Sequence, residues 1–554
     1  MTTISEHEVS VRLLNPGGDV PLSWAENSPG QVTLDSAAFP YVQGTVKIAV
    51  EDAMLLEDLD PRDSRRLAIT AARDGGSPRT FNLGVREATP DRAGGTVTLR
   101  LASDEAVLMD YAQLVDDNGP RAHQASLRAV CNYVLGKIGA ALQAGGPDAD
   151  VTAYWSVTNL VPNPRLANDA NAWQTGSGAS GGGRLVMSAP LPPVGNTAYR
   201  WTAAAGDSNA VPLSALYRVT PGKWYVFTAY LCSGTTRQAR AAIQWWSAGG
   251  SVASSTSYGA FITSDVTAFR RVSVIAQCPP GAEQAVPYIN TVGNASGNLH
   301  YASCAMFHEG NEVIPYYDGA TAAGGGYTYA WQAAVHASTS TRTPAVERRP
   351  EALRWSAGDS GMAFLETLLK SAGLRIVCDE QRRWFLRGND YRAGGAQAYR
   401  YGVNIKTASE SLSRDDNSWR DGAVYEYIWT DDDGIEQRRL DAFALPGASK
   451  IAKVELRNTP YPGPGRAQYM VERAQGTGRT VSVTANPAWD EVTDQALSIL
   501  LEDTPIQTGI IASVRYDFGD DSVEITSRTT DTPAGAIDLL AGTINSLPGT
   551  INAL

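Results

Sequence analysis

The chain has 554 residues, which is too long for one domain and predicts about three to four. Hydrophobic residues make up 43% and charged residues 19% of it, a balance that excludes a mainly disordered chain. The formal net charge of −12 argues against a protein whose main task is to grip phosphate backbones, because that task needs a basic surface.

The 5 cysteines indicate neither a disulfide framework nor a zinc site, since they are odd in number, far apart and never paired as C-x-x-C. The N-terminus lacks the basic-then-apolar pattern of a signal peptide. No run approaches the roughly 20 apolar residues of a membrane-spanning helix. We therefore expect a reduced chain that is made in a cytoplasm and has no membrane-spanning segment.

Residues 1–156 predict a β domain followed by one helix. Short apolar runs alternate with Gly- and Pro-rich turns, a spacing typical of a β-barrel or sandwich. These runs are residues 9–14, 41–50, 66–71 and 95–101. Apolar residues at helical spacing across residues 125–142 predict the helix, which the glycines and the proline of residues 145–147 end.

Residues 157–342 differ in composition from the rest of the chain. Acidic residues become sparse, and Gly, Ser, Thr, Ala, Trp and Tyr dominate. Runs typical of strands lie at residues 223–231, 241–246, 270–276, 285–291 and 299–307. The segment therefore predicts an inserted all-β sandwich of two sheets.

Mixed α and β character returns after the insertion. Residues 343–395 predict a small α/β domain, with an amphipathic helix at 360–371 and a hairpin across 374–386. Residues 396–532 predict a second β domain. It includes a strand at 466–472 and one helix at 489–502.

Residues 533–554 predict an oligomerisation tail. The sequence of residues 541–547 is almost repeated at 548–554. The apolar side chains of the tail have the spacing of a heptad seam; they are Ile537, Leu540, Ile544, Leu547, Ile551 and Leu554. Glycine and proline within the tail argue against a regular coiled coil. Packing of the tail on the chain's own body is the alternative to self-association.

Several stretches of the insertion resemble a known kind of module. They are residues 159–164, 219–230 and 304–310 and, most specifically, the closing residues 316–321, 329–331 and 336–342. They resemble the carbohydrate-binding jelly-roll modules of glycosidases and of tail proteins of actinobacterial viruses. The resemblance implies a jelly-roll sandwich that contacts polysaccharide of the host cell envelope.

The flanking parts are similar in organisation to the hub proteins at the tail tip of long-tailed phages. They share the order of a β domain, a helix, and then a helix followed by a hairpin at residues 373–386. This resemblance implies a trimeric virion protein at the tail tip, joined to distal-tail, tape-measure and tip proteins, which DNA meets only in passage. The expected fold is mainly β and multidomain with minor α: barrel or sandwich hub domains plus the inserted jelly roll.

Sugar binding requires flat aromatic faces that stack on the rings. Neighbouring residues of a strand point to opposite faces, so one of Trp245 and Trp246 is expected to face away from the core. An outward tryptophan often marks a ligand surface, although most tryptophans of a sandwich fill its core. The candidates for glycan contact are Trp245, Trp246, Trp173, Tyr258 and Tyr288.

No metal and no cofactor is predicted. Jelly-roll modules of this kind often hold a structural calcium, and the matching ends here contain the oxygen donors Asn159, Asn163 and Asp318. Calcium takes about six to eight oxygens, several of them from carboxylates, and these three residues are too few.

No catalytic residue is predicted either, and we expect that the protein is not an enzyme. Residues 358–361 match the motif around a serine-protease nucleophile, but Ser360 directly precedes a predicted helix, where it would act as the N-cap. The histidines lack metal-ligand spacing, and the carboxylates are too scattered to nominate a glycosidase pair. The alternatives are a hexameric distal-tail ring protein with the same insertion and a cell-wall polysaccharide hydrolase.

Overall fold

The computed structural model describes residues 7–25, 30–50, 54–73, 76–212, 216–414, 419–432, 434–477, 479–502 and 506–529. Contacts divide these residues into two compact units. The first unit contains the described residues up to Ala153, Pro350–Ile428 and those from Arg438 onwards. The second contains Tyr154–Arg349 and Trp429–Gln437, so the predicted insertion interrupts the chain of the first unit. The finer division into five domains stays a prediction.

The elements follow in chain order. The part before the insertion contains β1 (His7–Leu14), β2 (Val20–Leu22), β3 (Gly30–Asp35), β4 (Val42–Ala49), α1 (Met54–Asp58), β5 (Arg66–Arg73), β6 (Arg79–Asp91), β7 (Thr96–Ala102), α2 (Glu105–Asp110) and α3 (Leu127–Gly136). The insertion contains β8 (Val157–Asn159), β9 (Gln174–Thr175), β10 (Ala179–Val186), β11 (Thr197–Ala203), β12 (Gly206–Val211), β13 (Tyr217–Arg218), β14 (Trp224–Ser233), β15 (Arg237–Trp246), β16 (Ser257–Tyr258), β17 (Ile262–Ser264), β18 (Arg270–Gln277), β19 (Gln284–Asn294), β20 (Leu299–Glu309), β21 (Tyr327–Trp331) and β22 (Ser340–Pro344). After it come α4 (Gly361–Ser371), β23 (Leu374–Cys378), β24 (Trp384–Gly388), β25 (Ala393–Arg400), β26 (Ile405–Leu412), β27 (Gly422–Thr430), β28 (Glu436–Ala444), β29 (Ile451–Arg457), α5 (Arg466–Ala474), β30 (Arg479–Ala485), β31 (Gln495–Leu500), β32 (Gln507–Asp517) and β33 (Ser522–Thr529).

The largest sheet joins strands from both sides of the insertion. Its order is β2-β1-β5-β6-β7-β4-β3-β32-β33-β30-β26, with β31 beside β32 and β25 beside β31, and this order does not close on itself. β3 runs antiparallel to β32, and Val32 is opposite Tyr516. Side chains of one face, including Leu13, Ile69 and Phe81, form the main core of the unit. The mainly β, multidomain fold is confirmed.

The helix and hairpin predicted after the insertion are confirmed. α4 begins after Ser360, whose Oγ accepts a hydrogen bond from the backbone N–H of Ala363 at 3.1 Å, as an N-cap does. Buried leucines on one face of the helix follow the predicted spacing. β23 and β24 then pair antiparallel as the predicted hairpin. No helix among the described residues is both long and apolar enough to cross a membrane.

Two predicted elements near the C-terminus are wrong. The helix expected at 489–502 is instead strand β31, which pairs parallel with β25 and antiparallel with β32. The strand expected at 466–472 is helix α5, which buries Ala467, Val471 and Ala474 at intervals of one or two turns. At β31, pairing with two neighbouring strands overrides the preference that was inferred from local composition. In α5 the buried residues themselves have helical spacing, which the prediction from composition missed.

The second unit is a sandwich of two antiparallel sheets. One sheet has the order β10-β11-β20-β14-β18; the other has the order β16-β15-β19-β12-β9, with β13 beside β19 and β17 beside β15. Trp201 and Phe227 of the first sheet share one hydrophobic core with Ile243, Trp245 and Ile289 of the second. Full burial of each such side chain stabilises the fold by roughly 1.5–3 kcal/mol. The strands predicted within this segment are confirmed.

The two ends of the insertion are neighbours. The backbone N–H of Tyr154 donates to the carbonyl oxygen of Arg348 at 2.9 Å, and that of Arg348 donates back to Tyr154 at 2.8 Å. A small sheet of β21, β22 and β8 lies at the same end of the sandwich segment. The continuous segment Tyr154–Arg349 of the second unit therefore begins and ends at one paired point.

Candidate functional site

Alternation along β15 gives the second sheet of the sandwich one buried and one outward side. Ala239, Ala241, Ile243 and Trp245 belong to the core. The alternate residues of β15, which include Arg240, Gln244 and Trp246, point away from the core because successive side chains of a strand alternate. We call this outward side of the seven-stranded sheet the open face.

The five predicted aromatic residues are divided between the core and the open face. Trp245 is 1% exposed, and its Nε1 atom donates to Ser257 Oγ at 3.0 Å. Trp173 is 6% exposed and donates to the carbonyl oxygen of Asn163 at 2.8 Å. Buried rings of this kind stabilise the sandwich and offer a ligand little surface.

The other three predicted aromatic residues lie on the open face. Tyr258 is opposite Ala242 of β15, and its ring is 47% exposed. Tyr288 is also opposite Ala242, but it is only 9% exposed and offers a ligand little surface; its hydroxyl donates to that of Tyr258 at 3.3 Å. Burial and this hydrogen bond raise the pKa of Tyr288 above its usual value, so the phenol stays neutral. Trp246 is half-buried on the same side of β15.

An arginine joins the aromatic residues of the open face. The Arg240 guanidinium lies over the Tyr258 ring, 3.6 Å from its centroid, and 4.5 Å from the centroid of Phe261. Phe261 is 50% exposed. A cation held against two rings keeps its position and leaves the outer parts of the rings open to solvent.

Amide groups extend the polar part of the open face. Arg240 donates from Nε to Asn290 Oδ1 at 3.1 Å, and Asn290 donates from Nδ2 to Asn209 Oδ1 at 3.0 Å. These bonds fix the orientation of both amides. Asn290 is 4% exposed and uses both amide atoms in these bonds, so it orientates Arg240 and Asn209 and is not itself open to a ligand. The open face thus combines exposed flat rings with a fixed guanidinium and the half-buried amide of Asn209, which suits a neutral or acidic carbohydrate.

Four residues of this site are not among those predicted from the sequence: Arg240, Phe261, Asn290 and Asn209. These residues come together through strand pairing: β15 pairs with β16, β17 and β19, and β19 pairs with β12. Alternation predicts the face on which a strand residue lies. It does not predict which residue of another strand lies opposite.

Two of the three oxygen donors considered for calcium are already engaged, whereas Oδ1 of Asn163 is buried without a hydrogen-bond partner among the described residues. Asn159 Oδ1 accepts from the backbone N–H groups of Val161 and Phe307, both at 3.1 Å. Asp318 is 1% exposed, and its Oδ2 lies 3.0 Å from Nε of Arg165. A neighbouring guanidinium disfavours a cation at this carboxylate. Among the described residues, no group of three or more His, Cys, Asp or Glu side chains is placed to hold a metal ion.

The predicted oligomerisation residues Ile537, Leu540, Ile544, Leu547, Ile551 and Leu554 lie outside the described residues. Their role in self-association stays a prediction.

No protein-family model matches the chain, and no curated protein matches it in sequence. The chain is similar to the 43 kDa tail protein of prophage MuSo2 from Shewanella oneidensis, with 10% identity and a TM-score of 0.40 over 94% of this chain and 98% of that one. It is similar to the tail protein from Neisseria meningitidis MC58, with 8% identity and a TM-score of 0.38 over 95% and 96% of the two chains. It is also similar to the CBM22-1 xylan-binding domain of Paenibacillus barcinonensis Xyn10C, with 7% identity and a TM-score of 0.21 over 29% of this chain and 99% of that domain. TM-scores at this level do not establish a shared fold.

Proposed function

We propose that this chain is a structural hub protein of a bacteriophage tail tip whose inserted sandwich adheres to polysaccharide of the host cell envelope. It is not an enzyme in this proposal. The observation that carries the adhesive function is the open face, where exposed Tyr258 and Phe261 flank a fixed guanidinium and an orientated amide pair.

The topology of the first unit supports the hub part of the proposal. Strands from before and after the insertion share one large sheet, so the sandwich is an addition to a complete scaffold. A scaffold of this kind provides surfaces for distal-tail, tape-measure and tip proteins of the virion, while the insertion remains available to the host. DNA would pass the hub without specific contacts, consistent with the acidic net charge of −12.

The chemistry of the open face supports polysaccharide as the ligand. Exposed rings stack against the apolar faces of sugar rings, and amides exchange hydrogen bonds with hydroxyl groups. One such face binds weakly. Several copies around a symmetric tip would bind more tightly, because each bound copy raises the effective concentration of the next.

The test uses the full chain and cell-wall polysaccharide purified from actinobacteria, with binding measured by co-sedimentation and calorimetry. We expect Tyr258→Ala and Phe261→Ala each to weaken binding at least about tenfold, because each removes a ring that stacks on sugar. Ile275→Ala is the matched control: Ile275 is 42% exposed on β18 of the other sheet. Equal binding by all four proteins would remove the open face from the proposal.

The hub and ring alternatives differ in oligomeric state. Light scattering of the full chain and of a chain that ends before Ala534 distinguishes them. A trimer that weakens on truncation supports the hub and assigns the apolar tail to its assembly. A hexamer would support the distal-tail ring instead, and a monomer in both cases would leave only the adhesive function. Release of soluble sugar from the polysaccharide would favour the hydrolase.

A further inference from the structure

A second site lies in the first unit, far along the chain from the sandwich. A cavity of about 130 Å³ is lined by residues of the β24–β25 connection, the end of α5, β32 and β33. Residues that line it include Asn389, Arg392, Glu472, Arg473, Ile510 and Arg528. The lining thus carries three arginines and one glutamate.

The arginines around this cavity converge on neutral acceptors. The carbonyl oxygen of Ser36 accepts from both Arg375, at 2.6 Å, and Arg473. Arg392 donates to the carbonyl oxygens of Asn389 and Tyr391 at 3.0 and 2.8 Å. A carbonyl oxygen satisfies an N–H group but carries no charge, so these bonds do not neutralise the guanidinium groups.

The nearby carboxylates do not neutralise the positive charge that these guanidinium groups retain. Asp494 is 3% exposed as a side chain and is paired with Arg375, while Arg387 approaches the same oxygen to 3.7 Å. Glu472 is exposed and accepts from Gln468 at 2.7 Å. The buried Asp494 carboxylate therefore already interacts with two arginines. The Glu472 carboxylate is exposed and accepts a hydrogen bond from an amide.

The positive charge of Arg528 is the least neutralised among these arginines. Within the described residues its guanidinium has no hydrogen-bond or ion-pair partner. Burial, followed by repulsion from Arg473, lowers the pKa of Arg528 to about 10. Burial and repulsion from Arg375 also lower the pKa of Arg473. Both shifts have the direction expected when cations are buried together without enough negative charge.

We propose that this cavity is an oxyanion site, in which Arg528 and Arg473 hold a carboxylate or phosphate group. The planar guanidinium donates paired hydrogen bonds to groups of this shape and is the side chain most suited to them. A volume of about 130 Å³ accommodates about four water molecules at liquid density, which is enough for a tetrahedral oxyanion. Two sources supply such a group, an oxyanion free in solution and an acidic side chain, and the experiment distinguishes them.

The experiment measures thermal unfolding of the full chain during titration with inorganic phosphate at constant ionic strength, with chloride as the reference salt. A free oxyanion is expected to raise Tm by about 2–4 °C through preferential binding to the folded state. Calorimetric titration of the unmodified chain with phosphate measures the same binding without any substitution.

Arg528→Gln gives the sharpest contrast. In buffer without phosphate we expect it to be at least as stable as the unmodified chain, because it removes an uncompensated buried cation. With phosphate it should gain no stability. Arg12→Gln is the matched control, since Arg12 is exposed on β1 of the same unit and should leave the phosphate response unchanged.

A second variant identifies an internal source of the oxyanion. Asp531 is the first acidic residue after Arg528 in the sequence. If its carboxylate fills the site, the unmodified chain will not respond to phosphate, whereas Asp531→Asn will. The proposal is overturned if neither protein responds to phosphate. It is also overturned if the unmodified chain responds but Arg528→Gln strongly destabilises the chain in the absence of phosphate.

Discussion

Val32 and Tyr516 face each other across neighbouring antiparallel strands, although the whole inserted sandwich lies between them in the sequence. The pairing places β3, from the start of the chain, beside β32, from near its end. The large sheet is therefore complete only when both ends of the chain have been made. Its long-range pairing makes it slower to form than the sandwich, whose strands are nearer to one another in the sequence.

Removal of the sandwich should leave the large sheet folded. The variant replaces residues 156–346 by a short glycine linker and the hairpin tip Trp429–Gln437 by an Asn-Gly turn. We expect one cooperative urea transition and a retained strand signal in circular dichroism, because Tyr154 and Arg348 are already paired at the junction. An aggregated or non-cooperative product would show that the first unit depends on the insertion. The isolated segment Tyr154–Arg349 is the companion measurement.

Arg240 should contribute to glycan binding through both its charge and its flat shape. We expect Arg240→Ala to weaken binding of the full chain to cell-wall polysaccharide about tenfold. Arg240→Lys should recover part of this loss with an acidic glycan and little with a neutral one, because lysine retains the charge but not the stacked plane. Arg200→Ala, at an exposed arginine on β11 of the other sheet, is the control. Unchanged binding by Arg240→Ala would contradict the role of this cation.

Acid should destabilise the sandwich through two buried histidines. His300 contacts Ser233 Oγ and Asn294 Oδ1 at 2.8 and 2.9 Å, and Asn294 donates its own amide elsewhere, so Nε2 of the neutral ring donates to Asn294. Burial lowers the pKa of His300, and that of His308, to about 4 from 6.5. The unfolded chain therefore binds protons at a higher pH than the folded chain, and stability is lost as pH falls from 6.5 towards 4.

The loss should reach up to about 3 kcal/mol for each histidine. Urea unfolding of the isolated sandwich at about pH 7 and about pH 4 measures it. His300→Gln and His308→Gln should each flatten this pH dependence. His123→Gln, at an exposed histidine of the first unit, is compared with the unmodified full chain, whose pH dependence it should leave unchanged. A slope that is the same in all variants would assign the acid effect to carboxylates instead.

The buried ion pair of Arg79 and Glu380 should contribute more to stability than an exposed pair. Arg79 is 9% exposed and donates from Nη2 to Glu380 at 2.8 Å and from Nη1 to the Tyr516 hydroxyl at 2.8 Å. Glu380→Ala leaves this cation buried without its carboxylate and should lower the free energy of unfolding by about 3 kcal/mol. Glu87→Ala, which breaks the exposed pair with Arg100, should cost less than about 1 kcal/mol. Equal midpoints in urea would contradict this difference.

Strand and helix identity could be predicted where local periodicity and burial agree. The opposite orientations of Trp245 and Trp246 follow from alternation alone, and the cap at Ser360 follows from its place before an apolar helix. The strand β31 could not be identified in this way. It is a central strand, and Ala496, Leu497 and Ile499 are buried without strict alternation.

The candidate site was only partly predictable for a related reason. Tyr258 was identifiable as an aromatic residue of the insertion, but its contact with Arg240 depends on the register of β16 against β15. Register follows from turn geometry and from the packing of whole sheets.

The spacing of Ala467, Val471 and Ala474 is helical, so α5 was predictable from its periodicity although Tyr469 and Met470 favour a strand by composition.

The paired junction between Tyr154 and Arg348 also has a consequence for evolution. A foreign domain with similarly close termini would fit at the same position without altering the register of the large sheet. If the proposed function holds, recombination at this point would exchange what the chain adheres to while conserving how it assembles. Host range would then change by the gain of one module.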